Sequence, residues 1–260
     1  MLDLPTLAQK KSLFLFGPRS TGKTTLLRAQ FPGERIINLL RSGVAIPLSH
    51  NPGELRELIN AMPDSDLPVI IDEIQKIPAL LDEVHDLIEE RGLRFILTGS
   101  SARKLRRGGV NLLAGRAWQC NLFPLCSAQF HQDDLNRYLL YGGLPQVVDS
   151  EDPLEELDAY INTYLTEEIM AESLVQNLVH FSAFLRVAAL SNSQQINFAN
   201  VSRDTGVPAS SVRAWFKILN DNFTGFMLDP WHSPGRKAVA TAKFYFFDTG
   251  VANFLAGCAV

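Results

Sequence analysis

Cysteine is scarce: three in 260 residues, Cys120, Cys126 and Cys258, with no C-x-x-C spacing. An odd, scattered set argues against a disulfide framework and fits buried thiols in a reducing compartment. Long apolar runs are missing as well. No stretch approaches the roughly 18 apolar residues of a membrane span. The first apolar run, Leu13-Phe14-Leu15-Phe16, is too short for a secretory leader. These absences predict a cytoplasmic protein with no membrane partner. Excess positive charge is also lacking, since the formal net charge is −4. Residues 1–196 hold 18 Lys+Arg against 24 Asp+Glu, and residues 197–260 hold 6 against 4, so the two parts carry −6 and +2. Any basic surface must therefore be a local patch. Neither an internal repeat nor a low-complexity tract is present.

What is there is ordinary for a soluble globular chain, with 46% hydrophobic and 20% charged residues. The length suits one large or two modest domains. One stretch organises the rest: Gly17-Pro18-Arg19-Ser20-Thr21-Gly22-Lys23-Thr24-Thr25, which fits G-x-x-x-x-G-K-[ST], a phosphate-binding P-loop. Glycines let the backbone curl so that successive N–H groups converge on an anion, and the following helix adds its positive end. Lys23 can carry an ammonium to the β- and γ-phosphates, and the Thr24 hydroxyl can ligate Mg²⁺. The context fits, with an apolar strand at 12–16 before the loop and a helix from Thr24 after it.

Forty-nine residues beyond Lys23, the apolar run Leu67-Pro68-Val69-Ile70-Ile71 ends in Asp72-Glu73. This is a Walker B pattern. The strand delivers Asp72 beside the loop, where its carboxylate can hold hydrated Mg²⁺, and Glu73 can orient and deprotonate a water. Strands are also expected at 35–40, 94–101 and 117–123, and helices at 52–61 (Asn51 as N-cap, Pro52 first) and 79–91. A strand at 94–101 lying between the Walker A and Walker B strands would bring Thr98 or Ser100 near the γ-phosphate; strand-end capping is the alternative. Residues 103–109 form a basic, glycine-ended loop that could bind nucleic acid, touch a neighbouring subunit's phosphates or simply be solvated. Gly115-Arg116 follows.

Three regions are expected: an ATPase core at 1–130, a helical lid at 131–196 and a winged helix at 197–260. The alternating pattern stops after 125. Helical periodicity runs over 134–141, 153–170 and 174–190, with Tyr141-Gly142-Gly143-Leu144-Pro145 as a breaker. In the last of these helices Phe181, Phe184, Leu185 and Ala188 read as core. From 197, helices at 198–204 and 209–220 flank Gly206-Val207-Pro208, and strands at 226–229 and 244–247 are joined through Ser233-Pro234-Gly235-Arg236-Lys237. The second helix can turn Val212, Phe216 and Leu219 inward and Ser210, Ser211, Arg213, Ala214 and Lys217 outward. That outward face and the basic wing predict weak, phosphate-directed DNA binding, with packing or protein contact as the alternative use.

With these pieces assembled, the chain resembles the bacterial and archaeal ATPases that pair an AAA-type P-loop domain with a DUF4143 region. The resemblance rests on the P-loop, Ile70-Ile71-Asp72-Glu73-Ile74-Gln75, Leu97-Thr98-Gly99-Ser100-Ser101, Gly115-Arg116, Phe123-Pro124-Leu125, Gly142-Gly143-Leu144-Pro145 and Phe246-Phe247-Asp248-Thr249-Gly250. It implies an α/β fold: an additional-strand P-loop NTPase (AAA-like) parallel sheet, a helical lid and a C-terminal winged helix. It further implies phosphate sensing near Ser100 and phosphate contact by Arg116, within its own subunit or across a homo-oligomer interface. The N-terminus is short before the first strand. The sequence given stops soon after Asp248-Thr249-Gly250, where the resemblance implies a nuclease-like region, so no nuclease chemistry is carried over. The expected activity is Mg²⁺-dependent ATP hydrolysis coupled to conformational change, with ATP favoured over GTP because no N-K-x-D motif occurs. A nucleotide-gated DNA-binding module is the alternative. A P-loop kinase is disfavoured, because a glutamate directly after Asp72 suits water activation.

Overall fold

The computed structural model describes residues 2–32, 35–63, 65–101, 105, 113–129, 135–165, 177–230 and 241–258. The chain divides into two compact units, Met1–Leu122 and Phe123–Val260.

The first unit is built on a five-stranded sheet in the order β2-β3-β4-β1-β5, with every neighbouring pair parallel. Its strands are β1 (Ser12–Phe16), β2 (Ile36–Asn38), β3 (Val69–Asp72), β4 (Phe95–Gly99) and β5 (Ala117–Asn121). Strands β1, β3 and β4 are buried along their whole length, as parallel strands covered on both faces must be. At the sheet edge, β5 is largely exposed. Helices α1 (Leu4–Ala8) and α2 (Lys23–Gln30) bury Leu4, Ala8 and Leu27 against Leu13, Leu15, Ile70 and Ile96. Alternation along β1 sends Phe14 and Phe16 to the opposite face, where their rings stack 5.3 Å apart. The expected insertion of 94–101 between the P-loop strand and the Asp72 strand is what the sheet shows.

Two helices intervene between β2 and β3. Helix α4 (Glu54–Asn60) starts later than the sequence suggested, because Asn51 to Gly53 wind as a tighter entry turn in which Glu54 N–H donates to Asn51 O at 3.1 Å. Helix α3 (Ser42–His50) was not anticipated: Gly43 and an internal Pro47 are helix breakers in isolation, and apolar periodicity is weak there. Helix α5 (Leu80–Arg91) matches the expected 79–91 and buries Leu80, Leu81, Val84 and Leu87. It ends at Gly92 in the left-handed conformation.

In the second unit, α6 (Leu135–Tyr141), α7 (Pro145–Asp149) and α8 (Pro153–Ala159) are short, and α8 runs on into a π-type turn over Tyr160–Leu165. Helix α9 (Leu178–Leu190) follows, then α10 (Phe198–Thr205) and α11 (Ala209–Asp221), separated by a turn at left-handed Gly206. Strands β6 (Gly225–Leu228) and β7 (Lys243–Phe246) pair antiparallel, a single bridge joins Gln195 to Lys243, and α12 (Thr249–Ala256) closes the described chain. One apolar core runs through the segments on both sides of residue 196. Its centre is a run of edge-on rings: Phe184–Trp215 at 5.3 Å, Phe184–Phe216 at 4.9 Å and Phe216–Phe244 at 4.9 Å. Trp215 and Ile218 join Val212, Phe216 and Leu219 on the buried face of α11. Arg213 and Lys217 are exposed, with the Arg213 guanidinium 4.8 Å over the Phe198 ring. The wing residues Arg236 and Lys237 lie outside the described residues. So does the basic segment 103–109, apart from Leu105, which is buried.

The glycine-rich breaker and the Asp248 motif form one structure. Gly143 N–H donates to Asp248 Oδ2 at 2.7 Å, and Val251 N–H, in the first turn of α12, donates to Oδ1 at 3.1 Å. A Cβ on Gly142, whose φ is +79°, would fall 2.0 Å from Asp248 Oδ1, so only glycine admits the carboxylate. Asn253 Nδ2 and the Thr249 hydroxyl cap carbonyls at the end of α6. Burial pushes the Asp248 carboxyl above its ordinary range, partly offset by these backbone donors. Because the folded state holds that proton more tightly, the group's contribution is fullest below the ordinary carboxylate range and declines as pH rises through the raised value. Asp248→Ala is expected to destabilise the chain by about 2 kcal/mol, since it orphans buried N–H groups and removes an N-cap. Urea unfolding read by tryptophan fluorescence should show the loss, and it should shrink as pH rises.

Candidate functional site

The carboxyl ends of β1, β3 and β4 lie side by side, and each delivers part of the site. Leaving β1, the chain turns at Gly17, whose N–H donates to Gly99 O at 3.3 Å. The end of β5 closes the other side: Leu122 N–H donates to Phe16 O at 2.7 Å, and a Cβ on Gly17 would lie 2.0 Å from Leu122 O. The loop then passes through two left-handed residues, Ser20 (φ +59°) and Gly22 (φ +84°), before α2 begins at Lys23. Left-handed residues in a loop that runs into a helix N-terminus are the backbone pattern of anion-binding loops. Thr21 fixes the curl by donating to Pro18 O at 2.9 Å. Lys23 is 7% exposed, and its Nζ donates to Gly17 O at 2.8 Å and Pro18 O at 2.7 Å, so the ammonium lies over the loop. Within this stretch Arg19 and Thr24 are half-buried and Thr25 is exposed.

Asp72, the last residue of β3, is 3% exposed. The Thr24 hydroxyl donates to its Oδ2 at 3.2 Å, and the Thr98 hydroxyl from β4 donates to its Oδ1. Two hard oxygen donors, one hydroxyl and one carboxylate, therefore face each other beside the loop. That donor set fits Mg²⁺, which is bound through one or two carboxylates together with substrate phosphates and water. Thr98 does more than the sequence implied, because its oxygen also accepts the Glu73 N–H at 3.0 Å. Glu73 itself sits in the left-handed region at φ +65°, ψ +45°, where the chain leaves the strand for a 3₁₀ turn over Ile74–Lys76. A non-glycine residue in this conformation is uncommon and points to a constrained position.

The structure brings together the P-loop, Asp72, Glu73, Thr98 and Ser100. It does not bring Arg116 to them. Arg116 directly precedes β5, beside Ser12 at the start of β1, whereas the loop lies beyond Phe16 at the other end. Counting six strand residues at about 3.3 Å each, the separation is about 20 Å. There its guanidinium pairs with Glu89 and holds that carboxyl below the usual carboxylate range, and Nη1 donates to Ala114 O at 3.2 Å. The expectation that Arg116 touches phosphate within its own chain is corrected accordingly. The residues Gly115-Arg116 open a strand, and the phosphate end is where strands finish.

Sequence reasoning missed a role for Gln75. Its side-chain Nε2 donates to Glu73 Oε2 and, at 3.2 Å, to Ser100 Oγ. Gln75 and Ser100 are 8% and 1% exposed. A signal was present in the Asp72-Glu73-Ile74-Gln75 string, but i to i+2 residues face each other only because the strand breaks into a 3₁₀ turn there.

Of the comparisons with known proteins, the family match to the first unit bears on this geometry. Residues 9–131 match the family described as an AAA domain, and residues 132–259 match a domain of unknown function, DUF8612, in the place where the resemblance had suggested DUF4143. An uncharacterized protein of Haemophilus influenzae is 24% identical over 93% of this chain and 68% of its own length. Among solved structures, a signal transduction ATPase with numerous domains and a tetratricopeptide repeat sensor, from Pyrococcus horikoshii, aligns with 96% of this chain at 15% identity and a TM-score of 0.36. The chain spans only 41% of that protein's length. The first unit has the parallel sheet, P-loop and matched family of an AAA-like P-loop domain.

Proposed function

We propose that this chain binds ATP with Mg²⁺ at the P-loop and hydrolyses it, coupling turnover to a conformational change. The observation that carries the reading is the buried Asp72 carboxylate held between the hydroxyls of Thr24 and Thr98, at the strand ends beside the P-loop. In this reading backbone N–H groups of residues 17–25 receive the phosphates, and Lys23 turns from the loop carbonyls to neutralise β- and γ-oxygens. Thr24 and Asp72 hold the metal, which when bound neutralises charge developing on the phosphate oxygens. Glu73 orients a water and takes its proton. Ser100 stands near the γ-phosphate as a hydroxyl donor.

Lys23→Ala is expected to abolish tight ATP binding, because a triphosphate would then be cradled without its ammonium. Glu73→Gln should bind ATP within a few-fold of wild type and hydrolyse it about 10²–10⁴-fold more slowly, having lost basicity at constant size. Calorimetric titration and phosphate release measure the two effects; near wild-type hydrolysis by Glu73→Gln would remove that residue from its role.

Arg116 is proposed to act across a subunit interface, its planar donors meeting a neighbour's phosphate. Mixing Arg116→Ala with Glu73→Gln protein tests this. Restored turnover at intermediate ratios is expected, and no restoration at any ratio would count against it.

A second reading, a nucleotide-gated DNA-binding module, draws on the outward Arg213 and Lys217 of α11. Helices α10 and α11 followed by the β6–β7 ribbon would then serve as a winged helix. With Arg236 and Lys237 of the wing, four cations would give a log–log salt slope of at most about −4 per protomer. Weak duplex binding at about 50 mM salt, lost at physiological salt, is the expectation. Binding indifferent to Arg213→Ala/Lys217→Ala would leave this unit a protein-contact element, and phosphate release with and without duplex separates the two readings.

A further inference from the structure

Strands β4, β1 and β5 are neighbours, and each is entered through a cation. Pairing of Leu13 with Ile96 and of Ser12 with Ala117 sets Lys11 level with Arg94 on one side and Arg116 on the other. Adjacent strands run about 4.8 Å apart, so three like charges stand in one row across the amino end of the sheet. Like charges opposite one another on neighbouring strands are destabilising, and the described residues offset them only in part. Glu89 pairs with Arg116, and Lys11 lies 5.8 Å from the centre of the Trp118 ring. The end of α5, at Gly92, adds about half a negative charge. Arg94 and Lys10 are exposed, and neither has an ion pair among the described residues. Lys10 and the three cations of the row line one hollow of about 270 Å³. Ser12 lines it too. That side chain is 3% exposed, and its hydroxyl oxygen accepts the Phe95 N–H at 3.0 Å, which leaves the hydroxyl hydrogen to donate.

We propose that this hollow is a second anion site, which binds a compact molecule carrying one or two phosphate groups. Four cations face one carboxylate that is already paired, and a phosphate supplies the missing negative charge with enough oxygens to accept from several donors at once. Lys10 and Lys11 bring mobile ammonium groups, and Arg94 brings a planar pair of donors. Size favours a small ligand: about 270 Å³ lies below the roughly 300–1,000 Å³ of pockets that hold drug-sized molecules. A nucleic-acid strand is disfavoured, because it is held along a groove with several stacking rings and Trp118 is one ring. The hollow lies at the opposite end of the sheet from the P-loop, about 20 Å away, so the proposal does not rest on the ATPase reading. Arg116 keeps its pair with Glu89 and contributes charge alone.

Inorganic pyrophosphate is the probe. The full chain carries Lys23→Ala, so that the P-loop is weakened, and chloride holds the ionic strength constant. Calorimetric titration should find one equivalent bound. Adding Lys10→Gln/Arg94→Gln should lower the affinity about 10–100-fold, less than the loss of two buried charge-assisted bonds because both side chains are exposed. Those side chains hold no part of the fold, so the thermal midpoint without ligand should not move. Amide hydrogen exchange locates the ligand: pyrophosphate should slow exchange at residues 92–95 and 115–117, and the double substitution should remove that protection. No binding to the Lys23→Ala chain, or equal affinity with and without Lys10→Gln/Arg94→Gln, overturns the proposal. Protection confined to residues 17–25 or to 209–221 overturns it too, by placing the anion at the P-loop or on α11. Labelled oligothymidine that binds more tightly than pyrophosphate, and is released by the same double substitution, would make the row a nucleic-acid surface and overturn the small-anion site.

Discussion

A carboxylate buried to 3% exposure is tolerable in a folded chain only if hydrogen bonds replace its water, and for Asp72 two threonine hydroxyls do this. The two threonines come from different elements, Thr24 from α2 and Thr98 from β4. Satisfying one side chain therefore locks the P-loop helix, the central strand and the β3 terminus into a single arrangement. Strand order makes this possible. With β4 between β1 and β3, the Thr98 side chain lies beside Asp72 while Gly99 O receives the first N–H of the P-loop. If β1 and β3 were neighbours, Asp72 would lose one of its two donors and Gly17 its carbonyl partner. The strand ends where phosphate and metal are proposed to bind are thus held together by the contacts that keep one acid satisfied.

Much of this was legible in the residues. The P-loop and the Asp72-Glu73 pair are contiguous strings, and each follows an apolar run that can only be a strand covered on both faces. Their roles depend on backbone direction and spacing, which a sequence carries well. The insertion of 94–101 between the two strands is what the resemblance to an additional-strand P-loop fold implied. What escaped notice depends on contacts between separated residues or on chain direction. Gln75 faces Glu73 because the strand ends in a left-handed residue and a 3₁₀ turn, and a glutamate gives no local sign of adopting that conformation. Arg116 was placed by its neighbourhood in the chain, although a residue before a parallel strand and one after it lie at opposite edges of the sheet. Helix α3 carries Gly43 and Pro47, so local propensity argued against it and packing decided otherwise.

The second unit teaches a different lesson about motifs. Gly142-Gly143-Leu144-Pro145 and Asp248-Thr249-Gly250 look like the polar, glycine-bearing strings from which active sites are made. They are 105 residues apart between Gly143 and Asp248, and they meet. Their chemistry is spent on each other: the carboxylate takes backbone N–H groups, the glycine makes room for it, and Thr249 and Asn253 cap the end of α6. Every polar group in the arrangement has a structural task. Motif strength in this half of the chain consequently measures a folding requirement, and the raised carboxyl of Asp248 is the mark of burial.

A similar question bears on Glu73, with the opposite answer. Holding a non-glycine residue in the left-handed region costs about 1–3 kcal/mol, and the chain could relieve this by placing glycine or asparagine there. Instead the position carries a carboxylate. Three bonds hold it in place: the backbone N–H to Thr98, the hydroxyl of Thr98 to Asp72, and the Gln75 amide to the carboxylate itself. Unlike the Asp248 carboxylate, this one is not sealed by packing. Glu73 is half-buried, so one side of it still faces the space at the strand ends while its backbone is fixed. A structural carboxylate needs its oxygens fully engaged, whereas a group that must handle a proton needs a rigid base and an open face. Asp248 satisfies the first description and Glu73 the second. That difference in environment, more than the adjacency of two acids in the sequence, supports the role proposed for Glu73.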